Sequence, residues 1–476
     1  MSTPTDRREF AKLSARYRTT PDPQETRMPR GVPYIVGNEA AERFSFYGMR
    51  TILYVFMTEH LTSIGGESAV MDIRDATIWQ HNFMTAAYFF PLLGAFLCDT
   101  LLGKYRTILW LSILYCVGHA VMALVDLPHL TGVAPQAALW WALALIAFST
   151  GGIKPCVSAH VGDQFGAGNQ RLMSRVYLWF YFSINLGATA STLLTPELLR
   201  NFGPGVAFGV PGVLMAIATL VFWLGRNEYV HVPPAGIGFF REALSREGIG
   251  AVAKLIPLFL LLAVFWCLFD QTTSTWVEQA KNMDRNVFGY EIEASAHQAA
   301  NPILVMLLIP LFTQVVYPLV ERRLTLTPLR RIGVGLAIAP FSYFIIAGIQ
   351  SQIDAGATPH LSWQTLAYVV ITASEVLLSV TALEFAYTQA PPKMKSFVTG
   401  IYWLSVALGN EMIVLVNSYI KEQQAAGSVV LEGADYFRFF AYAMSVTALI
   451  YLVWAATYRG SAYLQEAADP ADSLVA

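Results

Sequence analysis

Charge is what this chain of 476 residues has least of: Asp, Glu, Lys and Arg together make up 13%, about half the share of an ordinary soluble domain. That scarcity argues against a water-soluble enzyme. Neither sign dominates: a formal net charge of −2 and a pI near 6.5 leave no basic excess for a nucleic-acid partner and no acidic block typical of disorder. Cysteine is nearly absent. Cys98, Cys116, Cys156 and Cys267 lie singly in apolar runs without a CxxC pair, which points to packing rather than a disulfide or metal framework. No metal-ligand spacing and no nucleophile–base motif is present, so neither a metal site nor an enzyme active site is expected. The first thirty residues carry Arg7, Arg8, Lys12, Arg16, Arg18, Arg27 and Arg30, with no short apolar core or small-residue cleavage site after them. A cleaved signal peptide is therefore not expected. Phe10, Leu13 and Tyr17 fall at helical spacing there, which allows either a short interfacial helix or a solvated tail.

What the chain has in abundance is apolar surface: 55% of its residues are hydrophobic and the mean hydropathy is +0.46. At about 20 apolar residues per crossing this suffices for roughly a dozen membrane helices. The apolar windows predict spans over Tyr34–Thr58, Trp79–Cys98, Thr107–Asp126, Ala138–Val161, Arg175–Leu198 and Val206–Leu224. A second set follows over Lys254–Trp276, Ala296–Val320, Arg331–Gln350, Ser362–Ala390, Ser396–Tyr419 and Tyr436–Tyr458. The expected plan is all-α and integral to the membrane, with a tail at 1–30, a six-helix bundle at 31–225, a polar linker at 226–253, a second bundle at 254–460 and a tail at 461–476. With the N-terminus inside, most of the 31 basic residues fall on the cytoplasmic side, so both termini are expected there. Two bundles joined by a linker are the layout of transporters, whose sites lie near the midplane between repeats. Gly94, Asp99, Gly103, Lys104 and Arg106 form a GxxxxDxxxGKxR turn that resembles the loop signature of the major facilitator superfamily. Close helix approach at its glycines is expected, with Asp99 engaging helix ends or basic groups.

Charge inside the spans is the most informative feature. Glu39, Glu42, Arg43 and Arg50 fall within the first span. Facing lipid, each would cost about 2.5–3.5 kcal/mol at the helix centre. At 100° per residue Glu39, Arg43, Tyr47 and Arg50 share one face and Glu42 lies to one side, so that face is expected to line a cavity. Lys154, Asp270 and Glu375 supply charge from the fourth, seventh and tenth spans. At 1.5 Å per residue, Glu42 and Lys154 stand at an inner level and Arg50 and Asp270 at an outer one. The acids Glu39, Glu42, Asp270 and Glu375 outnumber the bases Arg43, Arg50 and Lys154. An unpaired carboxylate in low dielectric takes up a proton, so the excess predicts a proton site, the other reading being a fully paired structural network.

These residues resemble a known family. Glu39-Ala-Ala-Glu42-Arg43-Phe44-Ser45-Phe46-Tyr47-Gly48 is similar to the ExxERFxYY motif of proton-dependent oligopeptide transporters, a branch of the major facilitator superfamily. Gly151-Gly152-Ile153-Lys154-Pro155 resembles that family's fourth-helix lysine segment, and Trp179 to Gly187 its FYxxINxG signature. Phe265 to Gln271 resembles its seventh-helix segment, and Asn301-Pro302, Glu375 and Trp403 sit where its later spans carry polar and aromatic contacts. The resemblance implies a proton-coupled symporter importing di- and tripeptides by alternating access, with protons as coupling ion and no other cofactor. It implies a peptide carboxylate held by Arg43 and Lys154 with Tyr47 and Asn185, an amine held by Glu375 with Asn301, and pocket walls of Tyr88, Trp266 and Trp403. For coupling it implies linkage through Glu39, Glu42 and Arg43, a Glu42–Lys154 switching pair and an Arg50–Asp270 outer gate. A carrier of nitrate, a drug or another small anion is the alternative on the same fold.

Four positions depart from the pattern. Phe46 replaces a usual Tyr, Asp270 a commoner Glu with longer reach to Arg50, and Val380 a usual Pro, which predicts a straighter tenth helix. Glu384 has no counterpart, and surface or inner-mouth exposure is expected for it. His81 sits where animal members carry a functional His, although a headgroup-facing position is the plainer expectation; His119 and His160 are expected to be satisfied helix residues. Gly225 to Ala253 holds no apolar run of 18, and the ninth and tenth spans are closely joined. Together these imply twelve spans, a bacterial inner membrane, lipid as the surrounding partner and a monomer.

Overall fold

The computed structural model describes residues 17–234, 246–389 and 395–458. The expected interfacial helix lies mostly outside the described residues, as do the middle of the linker and the tail at 461–476. Twelve long helical segments are described: α1 Val32–Val55, α2 Ile73–Phe96, α3 Lys104–Ala123, α4 Pro135–Gly162, α5 Met173–Phe202, α6 Pro204–Leu224, α7 Arg246–Phe269, α8 Ala300–Leu311, α9 Pro328–Asp354, α10 Ser362–Thr388, α11 Lys395–Ala425 and α12 Ala434–Thr457. A two-stranded hairpin, Asn286–Val287 with Tyr290–Glu291, caps the connection between α7 and α8.

Several helices outrun their predicted ends because polar caps extend them beyond the apolar windows. Asp72 accepts hydrogen bonds from the backbone N–H groups of Arg74 and Asp75, so α2 begins before Trp79. Thr327 does the same for Arg330 ahead of α9, and the described part of α7 begins at Arg246, inside the expected linker. π-helical turns at Phe56–His60 and Leu97–Leu102 continue α1 and α2. The second ends at Gly103, whose φ of +74° turns the chain into α3, a conformation that favours glycine.

Ten of the helices are long and apolar enough to cross a membrane, and α1 and α5 are the two that are not. The reason is local: α1 carries Glu39, Glu42, Arg43 and Arg50, and α5 carries Ser183, Asn185, Ser191, Thr192 and Thr195 on its faces toward other helices. Helices α1 to α6 pack among themselves, as do α7 to α12, and α2 with α11 and α5 with α8 join the two sets. The close approach expected of Gly94 is made with α4. A Cβ on Gly94 would stand 2.4 Å from the Cα of Gly152, so the backbones of α2 and α4 touch there. Lys104, rather than Asp99, makes the turn's ion pair, to Asp163 at 2.6 Å.

Ion pairs between the two sets gather at the end where α1 passes into α2, here called distal. Glu59 binds Lys281 at 2.7 Å and Glu293 binds Arg200 at 3.3 Å. Asp75 pairs with Lys421 at the same end.

Candidate functional site

α1 puts its charged residues where the helical period requires. The Arg43 guanidinium spans both neighbouring carboxylates, 3.0 Å from Glu39 and 2.6 Å from Glu42. Thr150 of α4 donates to the other Glu42 oxygen at 2.5 Å. All three charged groups are buried, so the pairs are short and unscreened.

Lys154 departs from expectation. It makes no pair with Glu42; its ammonium has no hydrogen-bond partner and sits over the rings of Tyr88 at 3.9 Å and Phe46 at 4.7 Å. Tyr88 stacks on Trp403 of α11 at 5.6 Å, so the cation lies behind an aromatic wall contributed by both halves. The expected pair is absent because Arg43, on the same helix as Glu42, already occupies that carboxylate. Where Phe46 replaces a usual Tyr, it offers a ring face to the same cation.

Nearer the distal end Arg50 approaches Asp270 at 4.0 Å, beyond hydrogen-bond distance, as the short aspartate side chain predicts. Asp270 is held instead by Asn410 of α11, whose amide donates to it at 2.6 Å. The Asn410 carbonyl oxygen then faces His81 Nδ1 at 2.7 Å, and His81 Nε2 lies 2.8 Å from the Ser274 hydroxyl. In this arrangement Nδ1–H donates to the Asn410 oxygen, and Nε2 meets a hydroxyl that can either accept or donate. His81 is fully buried, not headgroup-facing: a polar chain runs from Ser274 through His81 and Asn410 to Asp270 and joins α2, α7 and α11. Asn410 and Ser274 were not singled out from sequence. Asn410 lies in an otherwise mostly apolar helix and Ser274 in the polar stretch from Asp270 to Thr275, and neither pattern names a partner.

A cavity of about 290 Å³ lies between the halves. Among the expected binding residues Tyr47, Asn185, Trp266, Asn301, Glu375 and Trp403 line it, and Arg50 joins them. Arg43, Tyr88 and Lys154 stand behind this lining. Asn301 donates to Glu375 at 2.8 Å and so fixes the carboxylate on one wall. Tyr181, Val305, Val380 and Leu383 supply aromatic and apolar surface. α10 runs unbroken past Val380, and Glu384 is exposed. His119 and His160 are buried, yet neither ring nitrogen of either has a partner. That corrects the expectation of satisfied histidines, because the helices facing them offer mainly apolar or aromatic neighbours.

A family model described as PTR2, POT family, matches residues 105–243 and 239–432. Peptide transporter family 1 of Drosophila melanogaster is 36% identical over 369 residues, covering 69% of this chain and 48% of its own length. Human solute carrier family 15 member 1 is 34% identical over 381 residues, covering 68% of this chain and 52% of its own. The chain thus spans about half the length of the curated relatives it matches. The in meso crystal structure of the POT family transporter PepTSo superposes with a TM-score of 0.79 at 36% identity, over 91% of this chain and 99% of that one. A crystal structure of an auto-inhibited POT family peptide transporter gives the same TM-score at 34% identity, over 92% and 99%.

Proposed function

The chain belongs to the POT family, and on that premise we propose that it is a proton-coupled symporter, not an enzyme, that imports di- and tripeptides by alternating access across a bacterial inner membrane. All twelve helices, α1 and α5 included, then cross the bilayer, both termini face the cytoplasm, and the distal end is the outer one.

The observation that carries this reading is the polarity of the cavity. Glu375, oriented by Asn301, faces a wall that includes Arg50, Tyr47 and Asn185. A peptide backbone presents an ammonium at one end and a carboxylate at the other, and this cavity offers one group for each. A planar guanidinium suits the carboxylate, while Trp266, Trp403 and Tyr181 tolerate varied side chains between the ends.

Coupling follows from the sharing of Arg43. While Glu39 and Glu42 are both ionised, they hold the guanidinium between them. A proton on either loosens that hold and frees Arg43, with Lys154 behind Tyr88, to join Arg50 at a peptide carboxylate. Proton and peptide therefore bind in concert. At the outer level a proton on Asp270 releases Arg50 and reorders Asn410 and His81, which loosens the junction of the halves. The gradient supplies about 1.4 kcal/mol per pH unit and about 2.3 kcal/mol per charge at 100 mV.

Calorimetric titration of the purified protein with dialanine, N-acetyl-dialanine and nitrate tests the reading. Dialanine is expected to bind and N-acetyl-dialanine, which lacks the amine for Glu375, to bind at least tenfold more weakly. Nitrate binding without dialanine binding would show a small-anion carrier instead.

A further inference from the structure

The interior of the first half is polar where the peptide cavity does not require it. α1 carries a second polar stripe, Asn38, Glu42 and Ser45, about 90° round from Glu39 at 100° per residue. α3 carries Ser112, Tyr115 and His119 on one of its own faces. All six residues are 0% exposed. α4 and α6 pack against both α1 and α3, so the two stripes are enclosed by the same four helices.

Few of these groups are satisfied. Ser45 donates to the Pro211 carbonyl at 2.6 Å and the Tyr115 hydroxyl stands against Thr150, but both amide atoms of Asn38, the hydroxyl of Ser112 and both ring nitrogens of His119 have no hydrogen-bond partner. Orphans at about 1–3 kcal/mol each would together cancel the roughly 5–15 kcal/mol that keeps a typical protein folded, so something meets them. Internal water, which takes about 2–4 polar partners per molecule, fits the chemistry of the set.

We propose that water held between α1, α3, α4 and α6 joins His119 to Glu42, and gives that carboxylate a proton path from the distal side that bypasses the peptide cavity. The inference rests on the coupling role of Glu42 proposed above. The path has a direction. His119 lies four residues, about 6 Å, from the distal end of α3, and its ring stands 4.8 Å from that of Tyr115. Tyr115 stands beside both Thr150 and Glu42, and Thr150 donates to Glu42 at 2.5 Å. The charged groups facing Glu42 are Arg43 and Glu39 on α1 and Lys154 on α4.

The transfer balances without a redox partner. A proton on His119 passes through water to Tyr115, which gives its own to Thr150, which gives its own to Glu42. Each hydroxyl loses one proton and gains one. The net change is one N–H bond broken at His119 and one O–H bond made at Glu42, after which Arg43 is released on that side.

Two measurements on the full chain test this. Radiolytic labelling in ¹⁸O-water is expected to mark Tyr115 despite its burial; no label there overturns the proposal. In proteoliposomes Tyr115→Phe and His119→Leu are each expected to lower proton-driven dialanine accumulation at least tenfold while dialanine exchange stays within twofold of wild type. Unchanged accumulation overturns it, and so does equal loss of exchange, which assigns the residues a purely structural part. If the wild-type protein moves no dialanine at all, the function proposed above falls, while the labelling result still decides whether the water is there.

Discussion

The Lys154 ammonium stands 3.9 Å from the centre of the Tyr88 ring and has no hydrogen-bond partner. A buried cation held by aromatic faces alone gains about 2 kcal/mol from a desolvated ring, less than a carboxylate offers at the same depth, so this lysine is available to an arriving anion. Lys154→Ala is therefore expected to abolish gradient-driven dialanine uptake while sparing exchange in part. Tyr88→Phe, which keeps the ring, is expected to stay within twofold of wild type, and Tyr88→Leu to raise KM roughly fivefold to thirtyfold. Uptake kinetics on the three variants check this; full accumulation by Lys154→Ala would remove the residue from coupling.

Glu375→Gln keeps the shape and the Asn301 contact but loses the charge that faces a peptide amine. A hydrogen bond to a charged group contributes about 1.5–3 kcal/mol, so the Kd for dialanine is expected to rise roughly 10- to 100-fold. N-acetyl-dialanine should bind the variant and the wild type alike. Titration with both ligands gives the answer, and an unaltered dialanine Kd places the amine elsewhere.

Asn410 holds Asp270 with its nitrogen and His81 with its oxygen. Asn410→Leu leaves both partners buried and unmatched, at a cost of about 1–3 kcal/mol. A lower thermal midpoint is expected, and the double variant Asn410→Leu with His81→Leu should recover part of it by removing one orphan. Differential scanning fluorimetry of the two proteins measures the recovery; none would mean that Asn410 does not support His81.

His231, beyond the end of α6, stacks on Tyr17 at 4.1 Å, and its backbone N–H donates to the Arg18 carbonyl at 2.7 Å. Burial pushes its pKa below the ordinary 6.5, against the pull of the Arg226 carbonyl. The folded state thus prefers the neutral ring, the released segment takes up the proton more readily, and the docking of residues 17–18 weakens as pH falls below about 6.5. Limited proteolysis between pH 7.5 and 5 should show faster cleavage ahead of Pro29 at the lower pH. His231→Phe, which keeps the stack without titrating, should flatten that dependence.

Of the cavity lining, helical period alone places Tyr47 and Arg50 on one face of α1, and the family resemblance implies Asn185, Trp266, Asn301, Glu375 and Trp403. Glu39, Arg43, Tyr47 and Arg50 share one by spacing, and Asn301 and Glu375 meet at 2.8 Å as the family resemblance implies. Period fixes a face but not a partner. Depth puts Glu42 and Lys154 at one level and the family resemblance pairs them, but the structure gives that carboxylate to Arg43, one residue away. His81 and Asn410 are 329 positions apart, and no local pattern announces a contact between α2 and α11. The apolar windows mark α1 and α5 as spans all the same, although both are too polar to count among the ten helices long and apolar enough to cross a membrane, because their polar residues face other helices.

In the proposed function a proton gradient drives peptide accumulation through this cavity. The most direct measurement is uptake of labelled dialanine into proteoliposomes with an inward proton gradient, with and without a proton ionophore. Accumulation above the external concentration is expected, collapsing to equilibration when the ionophore is added. Accumulation that persists with the ionophore, or no dialanine uptake under any gradient, would contradict the proposed function.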